Sequence, residues 1–163
     1  MNNQSKKYGK ILDELVKKSF SELKNEKIFI TDFIIFKRFI AQALDFGFFK
    51  LLLVNNDKIN ELLFSKEEMI GLFVHELCHF ERYKKKTFLQ KAAFILTTWF
   101  SKKIRCKDER NTDRLTIKKG YGKELLKIAL KREQKYSKEK LAEVYSSGYL
   151  SPKEIKQEMK KLK

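Results

Sequence analysis

The chain has 163 residues, 42% of them apolar, with 37 basic against 21 acidic side chains and a net charge of +16. That length fits one domain, or one domain with an appendage, and the apolar share is enough to build a core. One proline and six glycines argue for helices and against a many-turned sandwich, and two cysteines exclude a disulfide framework.

Residues 1–8 are polar and read as a frayed end. No signal peptide is visible in Met1–Lys10, so a reducing cytoplasm is the expected compartment. From Lys10 to Lys27, Ile11, Leu12, Leu15, Val16, Phe20 and Leu23 recur at three- and four-residue spacing, which predicts an amphipathic helix. The β-branched and aromatic run 28–35 predicts a strand. Two more strands follow over 39–45 and 48–55, with Gly47 easing the reversal between them. Asn55–Phe64 reads as a turn and a short helix. Ser65-Lys-Glu-Glu68 is a capping box, which opens a helix that is apolar nearly all round.

Inside that helix stands His75-Glu76-Leu-Cys-His79, and it holds both of the chain's histidines. Residues four apart share a helix face, so His75 and His79 can hold one metal ion through imidazole nitrogens. Glu76 projects beside them, placed to act as general base on water. Burying these polar groups in an apolar helix is costly without a partner, and a metal supplies one. Cys78, in the same helix, reads as core packing.

A basic stretch, Lys84–Lys86, leads into the apolar run 87–100, which contains Trp99 and ends against Lys102, Lys103 and Arg105. It is too short to span a bilayer as one helix. It reads as a core or helical-hairpin segment. The alternatives are an interfacial helix, with 87–105 lying on an anionic membrane surface, and a partner-binding face. A helix over 107–120 follows, stopped by Gly120, then a second over 123–135. A short helix over 137–149 and a last one, capped by Ser151 with Pro152 at its first position, form a charged tail. This division predicts a domain over 1–135 and a basic helical tail over 136–163.

A catalytic zinc site usually takes three protein ligands and keeps a fourth position open. With no third histidine, the last ligand must be a carboxylate or thiolate from among Glu109, Asp108, Asp113, Cys106, Glu81 and Glu124. Glu109 is favoured, because it sits on a separate helix with Asp113 one turn on. Asp113 could then fix the tautomer of a metal-bound histidine. Glu81 points away from the histidine face.

In order, 49–56, 62–68, His75-Glu-Leu-Cys-His79 and Glu109-Arg-Asn-Thr-Asp113 resemble the pattern of gluzincin peptidases. The likeness is to the CAAX prenyl protease and HtpX group, above all its small relatives, the minigluzincins, and covers roughly residues 10–135. It implies an α+β, predominantly helical, zincin-like fold with a sheet of about three strands. It also implies a zinc endopeptidase cleaving a peptide or protein substrate. His75, His79 and Glu109 would bind Zn2+, Glu76 would be the base and Asp113 would orient a histidine. The tail would lie across the cleft, as it does in minigluzincins. Relatives usually carry Gly or Ala in place of Cys78 and Ala in place of Thr112, and no histidine remains to stabilise an oxyanion. Tyr83 and Tyr121 are the candidates for that task. The substrate is expected along a free strand edge of the 28–54 sheet.

An antirepressor peptidase of the ImmA type shares the zinc helix and a downstream glutamate, but Asp113 and the Gly120-Tyr121 pair favour the first family. A SprT-like DNA-linked protease would suit the charge but needs a third histidine. A non-catalytic zinc-binding interaction protein is the remaining reading. The charge itself suits nucleic acid, anionic lipid or acidic peptides, or reflects compositional drift.

Overall fold

The computed structural model describes residues 3–32 and 39–162, with the side chains of Asn3, Ile95 and Trp99 left aside. The fold is α+β and predominantly helical, with a small three-stranded mixed sheet. Helix α1 (Asn3–Ser19) starts earlier than its polar sequence suggested. Tyr8 is the reason: it is buried, packs edge-on against Phe73 and donates its hydroxyl to Asn56 Oδ1 at 2.9 Å. The helix also stops earlier than expected, at Ser19, and a 3-10 turn (Ser21–Leu23) carries the chain into the sheet.

Strand β1 (Ile28–Thr31) pairs in parallel with β3 (Lys50–Val54), and β2 (Ala41–Asp45) pairs antiparallel with β3. The order β1-β3-β2 leaves β2 as one edge. The expected continuation of β1 over 33–35 lies outside the described residues. The reversal between β2 and β3 is built as its sequence implies. Gly47 takes φ +86°, a region open to glycine, and its N–H donates to Asp45 Oδ1 at 2.8 Å.

After α2 (Asn56–Glu61), helix α3 (Lys66–Lys84) forms the centre of the molecule. Both halves of its capping box are made: Ser65 N–H donates to Glu68 Oε2 at 2.6 Å, and Glu68 N–H donates to Ser65 Oγ at 3.3 Å. Every residue from Leu72 to Phe80 is buried. Helices α5 (Lys102–Thr116) and α6 (Gly122–Lys135) and strand β2 pack around it. The contact with α6 is close: a Cβ at Gly71 would stand 2.9 Å from the Glu124 backbone. Cys78 is fully buried, faces the Thr116 hydroxyl at 3.6 Å, and burial pushes its thiol up to about 12, so it is core packing as expected.

Helix α4 (Phe88–Phe100) packs against the next helix across a short connection at Ser101, as a helical hairpin would, but it corrects the expectation of a core segment. Its charged residue, Lys91, points inward and pairs with Asp45 at 2.9 Å, while Phe88, Leu89, Leu96 and Phe100 are exposed. Lys91 and Asp45 join a buried ionic group in which Lys50 reaches Glu26 at 2.7 Å and Asp45 at 3.6 Å. No helix among the described residues is long and apolar enough to cross a membrane.

Helix α5 ends in a wide π turn (Ile117–Tyr121), where Gly120 takes φ +92°, the left-handed stop that its sequence position implied. Helices α7 (Lys138–Ser146) and α8 (Pro152–Lys160) complete the chain. Leu150 and Ile155 pack with Ile117, Leu125 and Ala129 in a small second cluster. Arg110 on α5 pairs with Glu154 on α8.

Candidate metal centre

The two histidines face α5 from the middle of α3. His75, His79 and Glu109 each offer one ligand atom, and the three atoms lie within 4.8 Å of one another. His75 Nε2 stands 3.2 Å from His79 Nε2 and 3.1 Å from Glu109 Oε2, and His79 Nε2 stands 3.6 Å from the same oxygen. This group can hold a metal ion.

The other ring nitrogens are already engaged. His75 Nδ1 lies 2.8 Å from Asp113 Oδ1, one turn after Glu109. His79 Nδ1 lies 3.0 Å from the Tyr83 hydroxyl, 3.3 Å from Asp108 Oδ2 and 3.3 Å from Thr112 Oγ1. The Tyr83 hydroxyl donates to Asp108 Oδ2, so its oxygen is free to accept from His79 Nδ1–H. Arg82 completes the bracket, reaching Asp108 Oδ1 at 2.7 Å and Thr112 Oγ1 at 2.5 Å. With each Nδ1 facing carboxylate or hydroxyl oxygens, both Nε2 atoms face each other and Glu109. A proton or a metal ion can sit between these buried groups.

Without a metal ion, the surrounding carboxylates favour protons on the two rings. Burial opposes charge on His75, but Asp113 and Glu109 outweigh it and hold its pKa well above the usual value. His79 is likewise buried, yet Glu109 and Asp108 raise it to about 9. Burial works against charge on Glu109 too, and the two histidines overcome it, leaving the carboxyl far below the ordinary range. Two imidazole nitrogens and one carboxylate oxygen form a donor set that suits zinc and its borderline neighbours.

Comparison with protein-family models, curated proteins and solved structures finds no match.

Glu76 lies beside the group on the β2 side. Burial raises its pKa, with the histidines pulling the other way, and it accepts a hydrogen bond from the Ala43 backbone. A cleft of about 90 Å³ opens here, with the β2 residues 41–44, Glu76, His79 and Glu109 among its lining, and Phe94 and Thr98 of α4 above.

Of the other third-ligand candidates, Asp108 faces His79 Nδ1 rather than Nε2 and Asp113 faces His75 Nδ1, so both back up a histidine. Cys106 offers no atom to the group, Glu81 pairs with Lys119 at 2.7 Å, and the Glu124 backbone packs on Gly71. Neither tyrosine weighed as an oxyanion donor is free for it. Tyr83 is held by Asp108, and the Tyr121 hydroxyl pairs with Ser19 Oγ at 2.6 Å.

Tyr149 was not anticipated. Its ring centroid lies 5.7 Å from that of His75, and the Arg132 guanidinium stands over the ring at 4.7 Å. The next residue, Leu150, donates its N–H to Asp113 Oδ2 at 2.8 Å. Gly148 makes the approach: at φ +113°, an added Cβ would stand 2.5 Å from the Cys106 carbonyl oxygen on α5. The sequence signal was faint: an apolar pair, Tyr149-Leu150, between Gly148 and the Ser151-Pro152 helix start in a charged tail. The contact of Tyr83 with His79, unlike its expected oxyanion role, follows from their spacing of one helical turn.

Proposed function

We propose that this protein is a zinc-dependent endopeptidase of the gluzincin type, held latent by its own C-terminal strap. The observation that carries the reading is the cleft itself: a converging His75/His79/Glu109 group, a buried carboxylate at Glu76, and β2, an edge strand of the described sheet, along one wall. Zinc held by these residues would supply Lewis acidity, polarising a peptide carbonyl and acidifying water. The chain's own groups do the rest. An extended substrate adds to β2 by backbone hydrogen bonds, which fixes its scissile bond over the histidines. Glu76 takes the proton of the attacking water and passes it to the leaving amine. Its raised pKa brings the carboxylate nearer to neutrality, where proton acceptance and return are both efficient. Asp113 and Asp108 orient the two rings through their Nδ1 protons.

Latency is supported by the 148–150 strap. It sets the Tyr149 ring beside His75, in the space an incoming carbonyl would need, and ties itself to Asp113. The reading is tested with the zinc-loaded chain and an unfolded substrate such as casein. Limited proteolysis near Tyr136, to release the tail, should produce cleavage that 1,10-phenanthroline removes and added zinc restores. Cleavage that survives the chelator, or none from either form, contradicts the proposal.

A further inference from the structure

Helix α4 presents its apolar face to solvent. Lys91, Phe94 and Thr98 form its inner side, Lys91 paired with Asp45 and the other two lining the cleft. The opposite stripe is uncharged. Leu89 is 77% exposed, Leu96 54% and Phe100 86%, with Ala92 and Ala93 exposed between them. This is the reverse of an ordinary surface helix, whose apolar stripe turns to the core. A second element joins the patch. Phe88, 63% exposed, lies against the Gly47 turn, where a Cβ would meet it at 3.5 Å, and Phe48 in the same turn is 77% exposed.

From these observations we infer that α4 and the 46–49 turn form a docking surface for an anionic lipid bilayer, with α4 lying in the plane of the interface. Charge selects the occupant. Exposed lysines stand at both ends of the stripe, Lys85 before it and Lys102 and Lys103 after it, on a chain of net charge +16. Anionic headgroups complement that rim, whereas the same face of a second copy would repel it. Thirteen residues make a helix of about 20 Å, too short to span but long enough to bury one side at the headgroup boundary. The Lys91–Asp45 pair, buried at both ends, ties the helix to the sheet, so docking fixes the whole molecule on the surface. Because Phe94 and Thr98 on the other face wall the cleft, its mouth is then held beside the bilayer. Resting on the peptidase reading, this names the substrate class as polypeptide segments at a membrane surface.

The test is co-sedimentation of the full-length chain with vesicles of equal parts phosphatidylglycerol and phosphatidylcholine, against vesicles of phosphatidylcholine alone. The chain should bind the anionic vesicles, release at high salt, and bind equally in chelator, which separates this surface from the metal centre. Leu89→Glu with Leu96→Glu, both at exposed positions, should lower partition by roughly tenfold or more while circular dichroism stays unchanged. Equal binding by the double variant, indifference to bilayer charge, or no binding at all overturns the inference. So does a self-association that the double variant disperses, since a second copy would then cover the face.

Discussion

Glu76→Gln should leave metal content unchanged and lower peptide hydrolysis by about a thousandfold, within the range that a positioned general base contributes. The substitution is close to isosteric, and its amide oxygen can still accept from the Ala43 backbone, so the wall between α3 and β2 stays in place. What is lost is the one buried carboxylate on the cleft side of the histidines that does not back up a ring nitrogen. Glu109 is committed at 3.1 Å from His75 Nε2, and Asp108 and Asp113 sit behind the rings. None of these three is placed to take over the proton. Activity measured on a folded, metal-loaded, strap-released variant decides the matter: if hydrolysis persists, Glu76 is not the base.

Loosening the strap should act in the opposite direction. Tyr149→Ala removes the ring beside His75 and the stacking surface under Arg132, leaving Leu150 and Ile155 in their cluster. Beside that packing, the strap keeps the Leu150 N–H bond to the Asp113 carboxylate. A hydrogen bond to a charged group is worth about 1.5–3 kcal/mol, so ring and tether together can hold the closed form by roughly a hundredfold or more. Tyr149→Ala should therefore raise the initial rate of casein cleavage by about tenfold over the full-length chain, and proteolytic release of the tail should raise it further. A rate that falls in both would make Tyr149 a substrate contact and end the latency reading.

The metal centre was the most legible part of the sequence. Helical spacing alone puts His75 beside His79 and Glu109 beside Asp113, and a capping box announces where the first of those helices begins. That α5 would lie against α3 with Glu109 facing the histidines is a matter of tertiary packing, which spacing does not carry. Hence spacing alone leaves Asp108 and Asp113 open as ligands, and the packing of α5 on α3 is what sets their side chains behind the rings. The gluzincin resemblance likewise supplied an expected arrangement that the residues alone left open.

Other features had no local signature. Helix α4 shows what periodicity leaves out. The pattern marks an apolar stripe but does not say what covers it, and only the burial of Lys91 on Asp45 reveals that the stripe points outward. The first turns of α1 looked polar because Tyr8 is held by residues 48 and 65 positions away, Asn56 and Phe73. Tyr149 reaches His75 only because Gly148 lets two backbones meet.

The central claim is a metal held by His75, His79 and Glu109, and calorimetric titration of zinc into the metal-stripped chain tests it most directly. Without metal, the neighbouring carboxylates hold both histidines above the usual pKa, His79 up to about 9, which favours their protonated forms. Zinc must displace those protons. One ion should bind per chain, with proton release at pH 7 and affinity that weakens as pH falls from 8 to 6. Zinc binding that releases no protons, or that is undiminished by His75→Ala with His79→Ala, would contradict it.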